Sequence, residues 1–305
     1  MNKIKRKKKY IFLGDCDSLN IEIICKSFKK LKKNNSYILL VNINELRKYL
    51  RKLRSSIMVN EIINPYNFKE CDDNYLNIFN IENISNEKYK NILNQIQIAN
   101  ILANKTKRDL ITMPINKSII KKNTDFTGMT EYLGKLNKTS TSMLMLGDEF
   151  SVVPYTTHIN PKNVHKNIQT NSLLDFLKEL LKLIKKKEYS LNFKDIIFIC
   201  YNPHCGESGT LGGEDITINN LIKKLPKVKG PISADSAFIN YKKNTLFITT
   251  YHDQGLIPFK LLNKFGVNFT LGLKYRRLSP AHGTAHDKKF KNEADTSSYI
   301  SCMLF

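Results

Sequence analysis

Three of the six histidines in this chain stand directly after strand-like apolar runs. The runs read VVPYTTH to His158, IIFICYNPH to His204 and TLFITTYH to His252. In an open parallel α/β sheet, ligands collect beyond the carboxyl ends of the strands. Three neutral imidazoles delivered to that edge can ligate one divalent metal and leave a position open for substrate. Such a set suits zinc, cobalt or nickel and takes magnesium or manganese weakly. Zinc is the first expectation, with magnesium, manganese or cobalt left open.

Other apolar runs also open into polar loops. PINKS, after the run that starts at Asp109, offers Asn116 and Lys117, and DFTGMTEYLG follows. NPHCGESGTLGGED, after the run from Asp195, carries Gly206, Gly209, Gly212 and Gly213, which would let backbone approach a ligand. HDQGLIPFK follows the run from Thr245, and GVNFTLGLKYRRLSPAHGTAHD stands near the C-terminus. Functional loops on a rigid sheet are a common active-site plan. Asp235, Asp253 and Lys117 have the residue types of a general base.

These loops need a scaffold. YIFLG (Tyr10 to Gly14) reads as a first strand and YILLVNI (Tyr37 to Ile43) as a second. Between them Ile21, Ile24, Cys25, Phe28 and Leu31 share one helical face. The spacing predicts a helix over Asn86 to Thr106 and another over Ser172 to Lys187, striped by Leu173, Leu177, Leu180 and Ile184. DLITMP reads as a strand ending at Pro114, while residues 60 to 86 are polar and give no clear element. Strands alternating with helices predict an α/β fold with a parallel sheet covered on both faces.

With 305 residues the chain can build one large α/β domain or two medium ones. No apolar stretch is long enough to span a bilayer, and MNKIKRKKKY lacks the apolar body of a signal peptide. The six cysteines form no CxxC pair, so a reducing, cytoplasmic location is expected. The formal charge of +22 comes from lysines spread through the chain, without aromatic interleaving. It predicts no specific nucleic-acid partner. No G-x-G-x-x-G follows a strand, which disfavours a standard dinucleotide-binding Rossmann domain.

The blocks PINK, TGMTEYLG, TTH, NPHCGESGTLGGED, GPISADSAF, YHDQGLIPFK, VNFTLGL and RLSPAHGTAHD run in order from about Asp109 onward. In that order they resemble the PdxA family, the 4-hydroxythreonine-4-phosphate dehydrogenases of the vitamin B6 pathway. NPH-x-GE and YHDQG are specific to it, and the first hundred residues match only in outline. The resemblance implies a fold like that of isocitrate and isopropylmalate dehydrogenases, two α/β/α domains with a central cleft. Residues 1–128 plus 269–305 would form one domain. Residues 129–268 would form the other, with the metal-binding loops and dimer contacts. The metal ligands carried over are His158, His204 and His252. The substrate contacts are Thr130, Lys260, Asn268 and Arg277, and the catalytic candidates are Lys260, Asp235 and Asp253. No cofactor-binding residue is assigned. The family implies a homodimer with a shared active site and NAD or NADP as oxidant. It oxidises the C3 hydroxyl of 4-phosphooxy-L-threonine, and loss of carbon dioxide then gives 3-amino-2-oxopropyl phosphate. Arg277 and Lys260 read as surface cations that can hold phosphate or carboxylate, and Arg276 as a neighbour that points elsewhere.

Departures from the family are local. Met129 stands where the family has a histidine and cannot donate a hydrogen bond to phosphate or carboxylate. Restoring a histidine there is expected to lower KM. The first loop is CDSLN rather than rich in Gly and Pro, Gly213 replaces a basic residue, and the stretch before Val267 is shortened. Two alternatives therefore stay open. One is a related dehydrogenase of 4-phospho-erythronate, 4-phospho-threonate or a carboxylated dihydrodiol. The other is a silent paralogue kept as a binding protein, although none of the three histidines is lost.

Overall fold

A computed structural model of the chain describes residues 8–31, 37–168, 171–281, 289–291 and 293–305. The basic stretch Met1–Lys7 and residues 282–288, which carry most of AHGTAHD, lie outside them. The chain divides into two compact units. One takes the described residues up to Thr141 and from Gly272 onward, and the other is Ser142–Leu271.

The first unit holds β1 (Lys9–Phe12), β2 (Tyr37–Val41), β3 (Val59–Glu61), β4 (Leu76–Asn80) and β5 (Asp109–Thr112). The second supplies β6 (Ser142–Gly147), β7 (Phe150–Thr156), β8 (Asp195–Ile199), β9 (Lys229–Ile232), β10 (Thr245–Tyr251) and β11 (Gly266–Leu271). The chain then returns to the first unit for β12 (Arg277–Pro280).

In the first unit the strand order is β3-β4-β2-β1-β5-β12, and the pairings are parallel. Every residue of KYIF and YILLV is buried, as strands covered on both faces require. The helix Lys88–Thr106 lays Ile92, Ile96, Ala99, Leu102 and Ala103 into a core with Phe12, Leu40, Leu110 and Leu273. The polar segment that gave no signal contains β3 and β4. Asn77 interrupts the apolar pattern of β4, yet it is buried and accepts from Asn60 Nδ2 at 2.9 Å and from the Asp72 amide at 2.9 Å.

In the second unit the order is β11-β6-β7-β10-β8-β9. The expectation of a parallel sheet needs correction here. β7, β10, β8 and β9 pair in parallel, but β6 is antiparallel to both β7 and β11. Only Asp148 and Glu149 separate β6 from β7, and so short a link permits only a hairpin. The helix striped by Leu173, Leu177 and Leu180 ends at Leu183 rather than Lys187. Among the described residues, no helix is long and apolar enough to cross a membrane.

Candidate active site

The three histidines stand beyond the carboxyl ends of adjacent parallel strands of the second unit. His158 lies in a bend two residues past β7, His204 five past β8, and His252 opens the helix His252–Leu262 directly after β10. A chain of hydrogen bonds pins these strand ends together. Thr156 Oγ1 on β7 donates to the Thr250 carbonyl on β10 at 2.7 Å. Gln254 Oε1 accepts from the Thr250 amide at 2.8 Å and its hydroxyl at 3.0 Å, while Gln254 Nε2 donates to the Cys200 carbonyl beyond β8 at 2.7 Å.

The rings of His158 and His252 lie 5.9 Å apart, centroid to centroid. Nδ1 of His252 shares a 2.8 Å hydrogen bond with Asp253 Oδ1. A carboxylate on one ring nitrogen fixes the tautomer and leaves Nε2 for a ligand. The helix reaches this position because Gly255 has no side chain. A Cβ there would meet Val152 Cγ1 at 2.4 Å and Thr249 Oγ1 at 2.9 Å. Each residue of HDQG thus has a physical role: imidazole, its orienting carboxylate, a strand-end bridge and close packing.

His204 begins a run of left-handed backbone. His204, Cys205, Gly206, Glu207 and Ser208 all have φ between 45° and 77°. For non-glycine residues this costs roughly 1–2 kcal/mol each. Gly206, Gly209 and Gly212 also have positive φ, so they serve turn geometry, and a Cβ on Gly213 would meet open space. His204 Nδ1 lies 3.9 Å from Asp235 Oδ2. The Ser233 hydroxyl donates to Asp235 Oδ1 at 2.5 Å and holds that carboxyl below its ordinary range, helped by the Ser236 amide. Cys200, Asn202, His204, Ser233, Asp235 and Tyr251 help to line a cavity of about 380 Å³.

The two neighbouring imidazoles and their orienting carboxylate have the chemistry of a divalent-metal site. Among the described residues of one chain, however, no group of three or more His, Cys, Asp or Glu is gathered to hold an ion. His204 pairs with Asp235 rather than closing a triad.

The proposed substrate residues have different surroundings. Asn268 on β11 has its Oδ1 buried with no hydrogen-bond partner among the described residues. Lys260 is exposed on the helix that His252 opens, and Lys117 is exposed in the first turn of Lys117–Lys121. Thr130 is half-buried in the helix Met129–Asn137.

Arg277 is not a surface cation. It is 4% exposed, and its Nε donates to Thr112 Oγ1 at 2.8 Å. Its Nη1 reaches Thr130 Oγ1 at 3.5 Å, and burial pushes the guanidinium down to about 10. Arg276 is equally buried, against Asp109. Met129 also departs from expectation, because it packs in the apolar core of the first unit and is 9% exposed.

Sequence reasoning missed Gln254, Gly255 and also Asp215, whose carboxylate accepts from the Tyr201 and Asn202 amides at 2.7 and 2.8 Å. The signal lay in the motifs themselves, where these residues adjoin the histidines or close their loop.

In the first unit a second cavity, about 470 Å³, opens beyond β2 and β4 and is lined in part by Asn42, Asn44, Glu45, Asn80 and Asn83.

Comparison with known proteins places the chain. The family described as "Pyridoxal phosphate biosynthetic protein PdxA" matches residues 20–305. A 4-hydroxythreonine-4-phosphate dehydrogenase from Sulfurihydrogenibium is 31% identical over 312 residues, covering 96% of this chain and 95% of that protein. The Aquifex aeolicus protein of that name is 40% identical over 203 residues, covering 64% of this chain and 62% of that protein. The crystal structure of 4-hydroxythreonine-4-phosphate dehydrogenase from Klebsiella pneumoniae superposes with a TM-score of 0.80 at 23% identity, covering 98% of each chain, a likeness of fold. The chain belongs to the PdxA family, as an α/β dehydrogenase of vitamin B6 biosynthesis.

Proposed function

We propose that the chain oxidises 4-phosphooxy-L-threonine with NAD or NADP and decarboxylates the product to 3-amino-2-oxopropyl phosphate. The observation that carries this reading is the His158–His252 pair, set beyond parallel strands inside motifs that the family match covers. Hydride leaves C3 for the nicotinamide, and the hydroxyl proton is lost. The resulting β-keto acid sheds carbon dioxide, and the electron pair left at C2 is then protonated. A divalent cation, zinc for this donor set, would be held by His158 and His252, with the third position, His204, contributed across the dimer interface, and would supply Lewis-acid polarisation of the C3 oxygen.

Asp253 and Asp235 orient His252 and His204 respectively. Lys260 is the group for proton transfer and, with Thr130, Asn268 and Arg277, for binding the anionic substrate. The amide-rich crevice beyond β2 and β4 suits the hydroxyls of a nicotinamide nucleotide.

The working form is a homodimer with a shared site. The second unit exposes Leu211, Ile216, Ile239, Ile257 and Leu261, the last two on the helix that His252 opens. The relatives named above do not favour an altered substrate or a silent paralogue. Turnover of 4-phosphooxy-L-threonine against 4-phosphoerythronate, with each nucleotide, tests the reading. The expected result is preferred oxidation of the first with release of carbon dioxide, and preference for the second would overturn it.

A further inference from the structure

We infer that Asp215 is a positioning residue of the active site, one that sets His204 without touching metal or substrate. The inference rests on the reading of His204 as a metal ligand. Asp215 lies in the first turn of the helix Glu214–Ile222 and is 2% exposed. Its two oxygens are spent on the backbone just before the histidine. Oδ1 accepts from the Tyr201 amide at 2.7 Å, and Oδ2 accepts from the Asn202 amide at 2.8 Å. Hydrogen bonds from neutral amides to an ionised carboxylate are short and strong, and two of them fix an orientation as well as a position.

What Asp215 holds argues for a role beyond folding. The turn that follows is strained, with five successive left-handed residues of which four carry side chains. Strain of this kind persists only where surrounding contacts over-determine it, and it gathers at functional sites. The turn contributes little to the core. Gly206 is its buried residue, and the His204 side chain is 64% exposed. Asn202 gives a further tie, from its Nδ2 to Glu214 Oε2 at 3.1 Å. Gln254 meanwhile fixes the Cys200 carbonyl against β10. The backbone leading to His204 is therefore gripped at three successive residues, Cys200, Tyr201 and Asn202, while the imidazole is largely exposed, with Asp235 3.9 Å away.

The test compares Asp215→Asn and His204→Ala with the unaltered full chain. Cobalt(II) binding is followed by its d–d absorption, kcat and KM are measured for 4-phosphooxy-L-threonine, and thermal unfolding is recorded. For Asp215→Asn the cobalt dissociation constant and kcat should each worsen by about 10–100-fold. KM should stay within about threefold, because the substrate contacts are untouched. Asp215→Glu keeps the carboxylate but shifts it by one methylene. It should show the same pattern at about tenfold, and it carries the test if the asparagine variant does not fold. Lowered thermal stability with unchanged cobalt affinity and kcat would mean that Asp215 only supports the fold, and would overturn the inference. Unchanged cobalt affinity in His204→Ala would instead bring down the metal reading, and the inference with it.

Discussion

Arg276 and Asp109 form a buried pair across the edge between β12 and β5. The guanidinium Nε donates to Asp109 Oδ1 at 2.8 Å, Nη2 donates to Oδ2, and Lys9 Nζ lies 3.1 Å from that second oxygen. Arg276 and Arg277 are adjacent, so a strand sends their side chains to opposite faces. One face spends its arginine on Asp109, and the other sets its arginine on Thr112 beside Thr130. The first is structural, and the second is the arginine proposed above to bind substrate.

The two arginines should therefore separate by readout. Arg276→Met takes one of two cations from a buried carboxylate, and breaking such a pair typically costs about 3–5 kcal/mol. Because Lys9 stays in place, the expected loss in denaturant unfolding is near the lower end, about 3 kcal/mol. Arg276→Lys also lowers stability, since one ammonium does not reproduce the fork. Arg277→Lys should act on KM, by about 10–100-fold if a charged hydrogen bond of roughly 1.5–3 kcal/mol to the substrate is lost. Equal changes in KM for the two lysine variants would remove Arg277 from the substrate site.

Asp109 also predicts a pH dependence. Burial pushes its carboxyl up, but the hydrogen bond from Arg276 and the charge of Lys9 outweigh this and leave it below the ordinary carboxylate value. The unfolded chain then holds the Asp109 proton more tightly than the folded one, so unfolding free energy rises with pH between the two values. This contribution is fully present above the unfolded carboxylate pKa of about 4 and is lost as pH falls through the lower folded value. Unfolding measured from neutral to acid pH should steepen below about pH 4. Asp109→Asn should flatten that part of the curve, and an unaltered acid limb would contradict the assignment.

Met129 gives a prediction opposite in sign to the sequence expectation. Its side chain lies in the cluster that includes Phe126, Leu133 and Ile120. A histidine there would bury ring nitrogens among apolar neighbours, which costs about 1–3 kcal/mol when a polar group goes unpaired. Met129→His should lower stability by that order and leave KM for the phosphorylated substrate no better. A lower KM at unchanged stability would mean that the ring turns toward substrate.

The legible features were those written in local pattern. Apolar runs marked β1, β2, β7, β8 and β10, and periodicity marked the helices Lys88–Thr106 and Ser172–Leu183. The histidines were visible because each follows such a run. Features settled by distant contacts were not legible. The family spacing set Arg277 apart from Arg276, but the meeting of Arg276 with Asp109 depends on the register of β12 on β5. β4 was hidden because its buried Asn77 is satisfied by Asn60 and Asp72, partners that local reading does not supply. Gly255 carried no sign of its purpose, because the atoms that demand it belong to β7 and β10.

Gly255 accordingly offers the sharpest packing test. Gly255→Ala improves helix propensity by up to about 1 kcal/mol, but its methyl would stand 2.4 Å from Val152 Cγ1. Val152 is fully buried and β-branched, so it has no easy rotamer of retreat. The helix His252–Leu262 must lift, at a typical overpacking cost of about 1–3 kcal/mol. Lifting it carries His252 away from His158, so metal affinity and kcat should fall with stability. Val152→Ala removes the colliding methyls. The double variant should then be less impaired than the sum of the two single changes, by a coupling of about 0.5 kcal/mol or more. Strict additivity in unfolding measurements would mean that the helix is seated by other contacts and that the glycine is incidental to the position of His252.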